Sequence, residues 1–215
     1  PGRSAVLATG GMCATSHPLG AKVAIDVLER GGNAMDAAIA GAVLLGICEP
    51  QMTGIGGDCF VLWSEGGSDK VHALNGSGRA PAALDAADLR NAGETVVPLR
   101  SAHAVTLPGR ARDHYLMDGK APQAGQIFRA PGQAEVLRRI AKDGRDAFYT
   151  GEVAEDMLAV LNANGGKHTA DDFAAVSCTP TTPIAAAYKD IEVVEHPPNG
   201  QGATALLMLN ILSQF

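Results

Sequence analysis

One helix ends and another begins within the run Glu29-Arg30-Gly31-Gly32-Asn33-Ala34-Met35-Asp36-Ala37-Ala38. Paired glycines favour the left-handed backbone that commonly follows the last turn of a helix. Asn33 is a strong N-cap residue, so we expect the second helix to begin at residue 34 and to run to about residue 47. Two helices joined by so short a connection are predicted to form a helical hairpin.

The first helix of this hairpin is predicted to follow the sequence Thr15-Ser16-His17-Pro18. Ser16 is the predicted cap, and proline suits a first helical turn. The second helix is rich in small residues (Ala37, Ala38, Ala40, Gly41 and Ala42). Because these side chains add little bulk, we expect another element to pack closely against it.

The rest of the chain alternates between groups of strands and groups of helices. A glycine-rich loop over residues 49–58 precedes predicted strands over 59–63 and 70–74, a short helix over 85–91 and a strand over 102–107. Predicted helices follow over 131–142, 152–162 and 170–176, then strands over 184–188 and 191–195, and a last helix after residue 202. Since the pattern is not a βαβ alternation, it predicts an α+β fold of stacked layers.

Composition excludes several classes of protein. The 215 residues are 46% hydrophobic and 19% charged, with a net charge of −6. Basic residues are scattered, which argues against nucleic-acid binding, and no apolar run has the length of a membrane span. The four cysteines and six histidines show no metal-binding spacing, so we expect buried thiols and neither a metal nor a cofactor.

The run Gly54-Ile55-Gly56-Gly57-Asp58 allows three interpretations. A nucleotide-binding loop requires a strand before the glycines and a helix after them, and here the order is reversed. A tightly packed loop is the simpler interpretation. The third is a loop whose backbone amides line an active site.

The run Asn75-Gly76-Ser77-Gly78-Arg79 follows the second predicted strand. Small residues at a strand end, with one arginine among them, suit the recognition of a substrate carboxylate by Ser77 or Arg79. The alternative is an exposed turn with a surface arginine. By contrast, Ser16 and His17 are adjacent and no G-x-S-x-G elbow is present, so a serine triad is not expected.

Four motifs, in order along the chain, resemble the gamma-glutamyltranspeptidase family. They are Gly11-Met12-Cys13-Ala14-Thr15-Ser16-His17-Pro18-Leu19 with the run 29–38, then Gly54-Ile55-Gly56-Gly57, Arg145-Asp146-Ala147-Phe148-Tyr149-Thr150-Gly151, and Pro197-Pro198-Asn199-Gly200-Gln201-Gly202. They extend over essentially the whole chain, and the series is specific to that family.

The resemblance implies an N-terminal-nucleophile (Ntn) hydrolase of the αββα sandwich type. Such a protein is made as a precursor that cuts itself, and the new N-terminal threonine of the small chain is the nucleophile, with its own amine as base. This chain resembles the large subunit, as a single domain over 1–215. A family segment is expected to be missing near 109–112, and the ending of the chain inside an apolar helix at Phe215 predicts truncation there. No catalytic residue is expected in this chain, and a small subunit is the expected partner.

One position departs from the family pattern. Members that act on gamma-glutamyl donors, such as glutathione, carry an arginine after the hairpin strand that binds the substrate α-carboxylate, and alignment places Ser77 there. Arg79 could reach the same carboxylate if residues 77–79 are extended. We therefore expect Ser77 and Arg79 to shape the acyl pocket, with Gly56, Gly57 and Asp58 forming its floor.

The expected activity is cleavage of gamma-glutamyl amide bonds with transfer of the acyl group to water or an amine. The alternatives are an acylase of the same fold for another amide, of the cephalosporin or short oxo-acid type, and a binding homologue that is never processed. The compartment is left open between the periplasm and the cytoplasm of a bacterium.

Overall fold

The computed structural model describes residues 4–50, 52–91, 93 and 114–215. Contacts divide the chain into two compact units, Pro1–Ser77 with Thr179–Phe215, and Gly78–Cys178. The strand predicted over 102–107 and the missing segment predicted near 109–112 lie outside the described residues. The single-domain assignment stays a prediction.

The helical hairpin is present as predicted. Helix α1 spans Pro18–Glu29 and helix α2 spans Ala34–Cys48. Asn33 accepts a hydrogen bond from the Asp36 amide at 2.9 Å, and the Asp36 carboxylate accepts from the Asn33 amide at 3.4 Å. This reciprocal pair satisfies backbone N–H groups that the first turn of a helix leaves without partners.

The cap predicted for α1 was wrong by one residue. His17, not Ser16, precedes the helix in an extended conformation, and its Nδ1 accepts from the Leu19 amide at 3.2 Å. The Ser16 hydroxyl donates instead to Glu49 Oε2 at 2.7 Å, beyond the end of α2. The Ser16 hydroxyl therefore bonds to the distant Glu49 carboxylate instead of capping the helix, which is the role that local preference predicts for it.

Small residues bring α1 and α2 together. Ala24 and Ala37 are buried, and so are Gly20 and Gly41 on the facing turns. A Cβ added at Gly41 would lie 3.4 Å from the Gly20 carbonyl oxygen and 3.7 Å from the Ala24 Cβ. This hairpin is therefore packed backbone against backbone, as the alanine-rich sequence predicts.

A three-stranded antiparallel sheet follows the hairpin in the same unit. Strand β1 spans Cys59–Ser64, β2 spans Val71–Gly76 and β3 spans Thr179–Thr181, in the order β1-β2-β3. The first two strands were predicted to within two residues, whereas β3 was not predicted. A three-residue strand with a central proline has little intrinsic β-propensity, and pairing with β2 makes it a strand.

The last part of this unit is a second hairpin with a helix. Strand β4 spans Ile184–Tyr188 and β5 spans Ile191–Glu195, as predicted, and they pair around a turn at Lys189, whose φ is 55°. Helix α8 spans Gly202–Leu212 and packs on both strands, with Leu206 buried.

The other unit is helical in its described part. It contains α3 (Ala86–Asn91), α4 (Pro131–Asp143), α5 (Asp146–Tyr149), α6 (Gly151–Ala163) and α7 (Ala170–Ala174). All but the one-turn helix α5 were predicted. Among the described residues, no helix combines the length and the apolar character that a membrane crossing would require.

Arg145, the first residue of the motif that contains α5, donates hydrogen bonds to carbonyl groups at the end of α7. Its Nε donates to the Val176 carbonyl at 2.9 Å, its Nη2 donates to the Ala174 carbonyl, and its Nη1 lies 2.7 Å from Asp146 Oδ1. The guanidinium carbon lies 5.2 Å from the centre of the Tyr149 ring. Helix ends leave carbonyl groups without partners, and this side chain satisfies several at once. The motif therefore has a structural role inside this unit.

Candidate functional site

The end of the β1–β2 hairpin carries the predicted site. Cys59 pairs with Gly76 across the two strands. Asp58 directly precedes one member of this pair, and Ser77 directly follows the other. The register therefore brings the exit of the glycine loop and the exit of β2 to the same end of the sheet.

Three polar side chains meet at this end, and we call them the Asn75–Ser77–Asn199 cluster. Asn75 Oδ1 accepts from the Ser77 amide at 2.9 Å, which forms a local turn. Asn75 Nδ2 donates to Asn199 Oδ1 at 3.0 Å, and Asn199 Nδ2 donates to Ser77 Oγ at 3.2 Å. Each member of the cluster is hydrogen-bonded to the other two.

The loop that carries Asn199 is shaped by its flanking residues. Pro197 and Pro198 fix two backbone φ angles just before it. A Cβ at Gly202 would overlap the His196 carbonyl oxygen and would also lie 2.9 Å from the Glu195 Cβ. Only glycine allows this close approach, so the Pro-Pro-Asn-Gly-Gln-Gly motif folds back over the end of β5 and presents Asn199 to β2.

The cluster can offer hydrogen-bond donors to a ligand. Each asparagine amide has two N–H groups and uses one of them within the cluster, while the Ser77 hydroxyl acts there as an acceptor. The remaining N–H groups and the Ser77 O–H suit a carbonyl or carboxylate oxygen. The three side chains are uncharged, and Asn75 and Ser77 are half-buried.

The glycine loop reaches the same end of the sheet but does not join the cluster. Gly56 has a φ of 85°, and the Gly57 amide donates to the Gly54 carbonyl at 3.1 Å. Within the described part of the chain, no hydrogen bond links Gly56, Gly57 or Asp58 to the cluster. Their assignment as the floor of a pocket stays a prediction.

The backbone between Ser77 and Arg79 is not extended. Gly78 between them has a φ of 74°, so the extended conformation that would put both side chains on one face is absent there. Arg79 is exposed and belongs to the second unit. In the described ranges no carboxylate lies within ion-pair distance of it. Its role in binding an acyl group stays a prediction.

Sequence reasoning selected Ser77 but missed Asn75 and Asn199 as its partners. Asn75 lies in the motif at the end of the strand, and Asn199 lies in the Pro-Pro-Asn-Gly-Gln-Gly run. No local spacing could show that residues 75 and 199 meet. A search of the described residues finds no three His, Cys, Asp or Glu side chains grouped to hold a metal ion.

The family model described as "Gamma-glutamyltranspeptidase" matches residues 20–114 and 110–215. The chain belongs to the gamma-glutamyltranspeptidase family. This match confirms the resemblance that the four sequence motifs carry.

Two curated relatives illustrate the range of this family. The chain is 31% identical to the "Glutathione hydrolase-like YwrD proenzyme" of Bacillus subtilis, over 98% of this chain and 50% of the relative. It is 26% identical to the "Oxamate amidohydrolase proenzyme" of Klebsiella pneumoniae, over 99% of this chain and 51% of the relative. The chain thus spans about half the length of these relatives.

Among solved structures, the chain is similar to the cephalosporin acylase from Bacillus halodurans. The identity is 33%, the TM-score is 0.82, and the match covers 100% of this chain and 51% of that one. The gamma-glutamyltranspeptidase family and this neighbour confirm the predicted α+β fold of the Ntn-hydrolase class. Both curated relatives are named as proenzymes.

Proposed function

We propose that this chain is the large-subunit part of a gamma-glutamyltranspeptidase-like enzyme that cleaves gamma-glutamyl amide bonds of the glutathione type. The acyl group is transferred to water or to an amine. The observation that carries the proposal is the family match over nearly the whole chain, with a hydrogen-bonding cluster at the strand end where the family binds its acyl group. The partner is a small subunit that carries an N-terminal threonine.

The reaction uses the partner's threonine as the nucleophile. Its hydroxyl oxygen attacks the amide carbonyl carbon, and the hydroxyl proton passes to its own α-amine. The tetrahedral intermediate collapses as that proton moves to the leaving nitrogen, so the C–N bond breaks and an ester to the threonine remains. Water or an amine then attacks the ester by the reverse proton route and restores the threonine.

The residues of this chain bind the acyl end of the substrate and do not perform the bond cleavage. The Asn75–Ser77–Asn199 cluster donates hydrogen bonds to an oxygen of the acyl group. Gly56, Gly57 and Asp58 are proposed as the floor of the acyl pocket, and Arg79 is proposed to shape that pocket together with Ser77. No metal or cofactor takes part in the proposed steps.

A second candidate is an acylase for another amide. Ser77 stands where gamma-glutamyl enzymes of the family have a carboxylate-binding arginine, and a hydroxyl cannot make the paired hydrogen bonds of a guanidinium. The similarity to a cephalosporin acylase and to an oxamate amidohydrolase favours the same alternative. A binding homologue that is never processed is the remaining possibility.

The proposed enzyme has family segments that have no counterpart in this chain. The alignment with the Bacillus subtilis relative extends over 264 positions, more than the 215 residues here, so that relative has residues without a counterpart in this chain. This supports the expectation that the chain lacks a family segment, while its position near 109–112 stays a prediction from the motifs. We expect the small subunit to lie within the half of the relatives that the chain does not match.

The first experiment is an intact mass of the purified complete protein, with N-terminal sequencing of each chain. Two chains, the smaller beginning with threonine, are expected. A single uncut chain would contradict the enzyme proposal and favour the binding homologue.

The substrate is then identified with three p-nitroanilides that differ only in the acyl group. Gamma-glutamyl carries an ammonium and a carboxylate, glutaryl lacks the ammonium, and 4-aminobutyryl lacks the carboxylate. A gamma-glutamyl enzyme prefers the first, whereas a preference for the glutaryl anilide favours the acylase alternative. Ser77→Ala should raise KM for the preferred substrate. The control Ser68→Ala, in the turn at the other end of the hairpin, should not.

A further inference from the structure

We propose that His196 is a positioning residue, which holds the strand and the loop of the Asn75–Ser77–Asn199 cluster in register. The inference rests on the proposed function for its link to substrate binding. His196 itself belongs to none of the motifs that led to that function.

The side chain of His196 is buried at the centre of this end of the sheet, with 8% of its surface exposed. Nδ1 lies 2.9 Å from the Pro197 carbonyl oxygen, and Nε2 lies 3.2 Å from the Leu74 carbonyl oxygen. The Phe60 ring of β1 meets the imidazole edge to face, with 5.0 Å between ring centroids. One side chain therefore contacts β1, β2 and the loop after β5.

The two carbonyl groups stand next to the members of the cluster. Leu74 directly precedes Asn75, and Pro197 is two residues before Asn199. A buried ring that lies between these two carbonyls, and donates to one or the other, limits the distance between the backbones that carry Asn75 and Asn199. The hydrogen bonds of Asn199 to Asn75 and Ser77 depend on that distance.

The chemistry of the ring limits how both contacts are satisfied. A carbonyl oxygen only accepts, so each contact needs an N–H on the ring, and the neutral imidazole has one. The Thr181 hydroxyl of β3, 3.4 Å from Nε2, can donate to that nitrogen when the other carries the proton. When Nε2 carries the proton, His196 donates to Leu74 of β2. When Nδ1 carries the proton, His196 donates to Pro197 in the loop and accepts from Thr181 of β3. A phenylalanine would make none of these bonds.

The test compares His196→Phe with His72→Phe in the complete processed enzyme. His72 is also a histidine of this sheet, but it stacks on Trp63 at 5.1 Å, near the opposite end of the strands. His196→Gln is the rescue variant, because its amide can place a donor near the position of Nε2. All three variants are first checked for cooperative unfolding.

The first readout is amide hydrogen exchange, which requires no activity. Loss of the His196 bonds should speed exchange at the Ser77 amide by about fivefold or more, since that amide is protected by the Asn75 side chain. His196→Gln should restore part of the protection. Helices α1 and α2 should exchange as in the wild type. Equal exchange at Ser77 in His196→Phe and in wild type would overturn the inference.

The second readout is a double-mutant cycle with Asn199→Ala, measured on the preferred p-nitroanilide. If His196 acts through Asn199, His196→Phe raises KM by about five- to tenfold in the wild type and much less in the Asn199→Ala background. Additive effects of the two changes, or the same effect from His72→Phe, would contradict a positioning role.

The two proposals fail separately. An enzyme that hydrolyses none of the amides refutes the proposed function, and the exchange experiment still decides whether His196 holds the cluster. An active enzyme with unchanged exchange and additive kinetics refutes the positioning role and leaves the function intact. If His196→Phe does not fold, the same comparisons are made with His196→Leu, which also lacks a hydrogen-bonding group.

Discussion

Asn199 donates its side-chain N–H to Ser77 Oγ at 3.2 Å, although 122 residues separate the two in sequence. The bond joins Ser77, which we expect to stand where other members of the family have a carboxylate-binding arginine, to the loop of the Pro-Pro-Asn-Gly-Gln-Gly motif. Position 77 therefore belongs to a neutral hydrogen-bonding cluster. Several consequences can be measured.

Ser77→Arg should increase the preference for a substrate that carries an α-carboxylate. A guanidinium can bind a carboxylate through two parallel charge-assisted bonds, so kcat/KM for the gamma-glutamyl anilide should rise about tenfold relative to the 4-aminobutyryl anilide. The control is Ser68→Arg, which adds the same charge at the other end of the hairpin. A parallel fall for both substrates would contradict this view of position 77.

Arg145→Lys should destabilise the helical unit without a change in the Asn75–Ser77–Asn199 cluster. A lysine keeps the charge but cannot donate to the Ala174 and Val176 carbonyls and to Asp146 in one geometry. We expect a loss of about 2 kcal/mol in the free energy of unfolding, measured by urea denaturation. Arg138→Lys is the matched control, because Arg138 makes an exposed ion pair with Glu135. Equal losses for the two variants would show that the hydrogen bonds from Arg145 to the Ala174 and Val176 carbonyls do not stabilise the fold.

Asp172 should make stability depend on pH in the acid range. Hydrogen bonds from the Ala82 amide, and then from the Thr169 amide and hydroxyl, lower the pKa of this carboxyl below its ordinary value of 3.8. Because the folded-state pKa is the lower one, ionised Asp172 stabilises the fold above that ordinary value. This stabilisation is lost as the pH falls through the folded-state pKa.

The variant Asp172→Asn tests this dependence. Its urea midpoint should lie below that of the wild type at pH 7, and the two midpoints should converge in acid. Asp171→Asn, one residue earlier on the same short helix, should give a smaller difference at neutral pH. A difference for Asp172→Asn that stays constant across the range would show that the carboxylate charge is not the cause.

Cys48 should react slowly with alkylating reagents near neutral pH. Burial, and secondly the negative charge of Glu49, raises the pKa of its thiol above 9.0. The thiolate is the reactive form, so the rate with iodoacetamide should keep increasing at alkaline pH. Glu49→Gln should move this rate profile slightly to lower pH, while Glu29→Gln should leave it in place. Mass spectrometry of the Cys48 peptide gives the rate.

Local signals in the sequence were sufficient for most helices and hairpins. Asn33 with Asp36, the two glycines before them, and the turn at Lys189 and Asp190 act over a few residues, so their structural effect can be inferred directly. Where two local candidates competed, as Ser16 and His17 did for the α1 cap, the outcome depended on a distant acceptor at Glu49.

The sequence by itself determined the family, the α+β class and the position of Ser77 at the end of a hairpin strand, because these depend on motifs and on short-range preferences. Only the tertiary structure decided that Thr179–Thr181 is a strand, that His196 is buried, and that Asn199 reaches Asn75 and Ser77. These features arise when segments more than a hundred residues apart pack together, and the hydrogen bonds that stabilise them have no counterpart in local spacing.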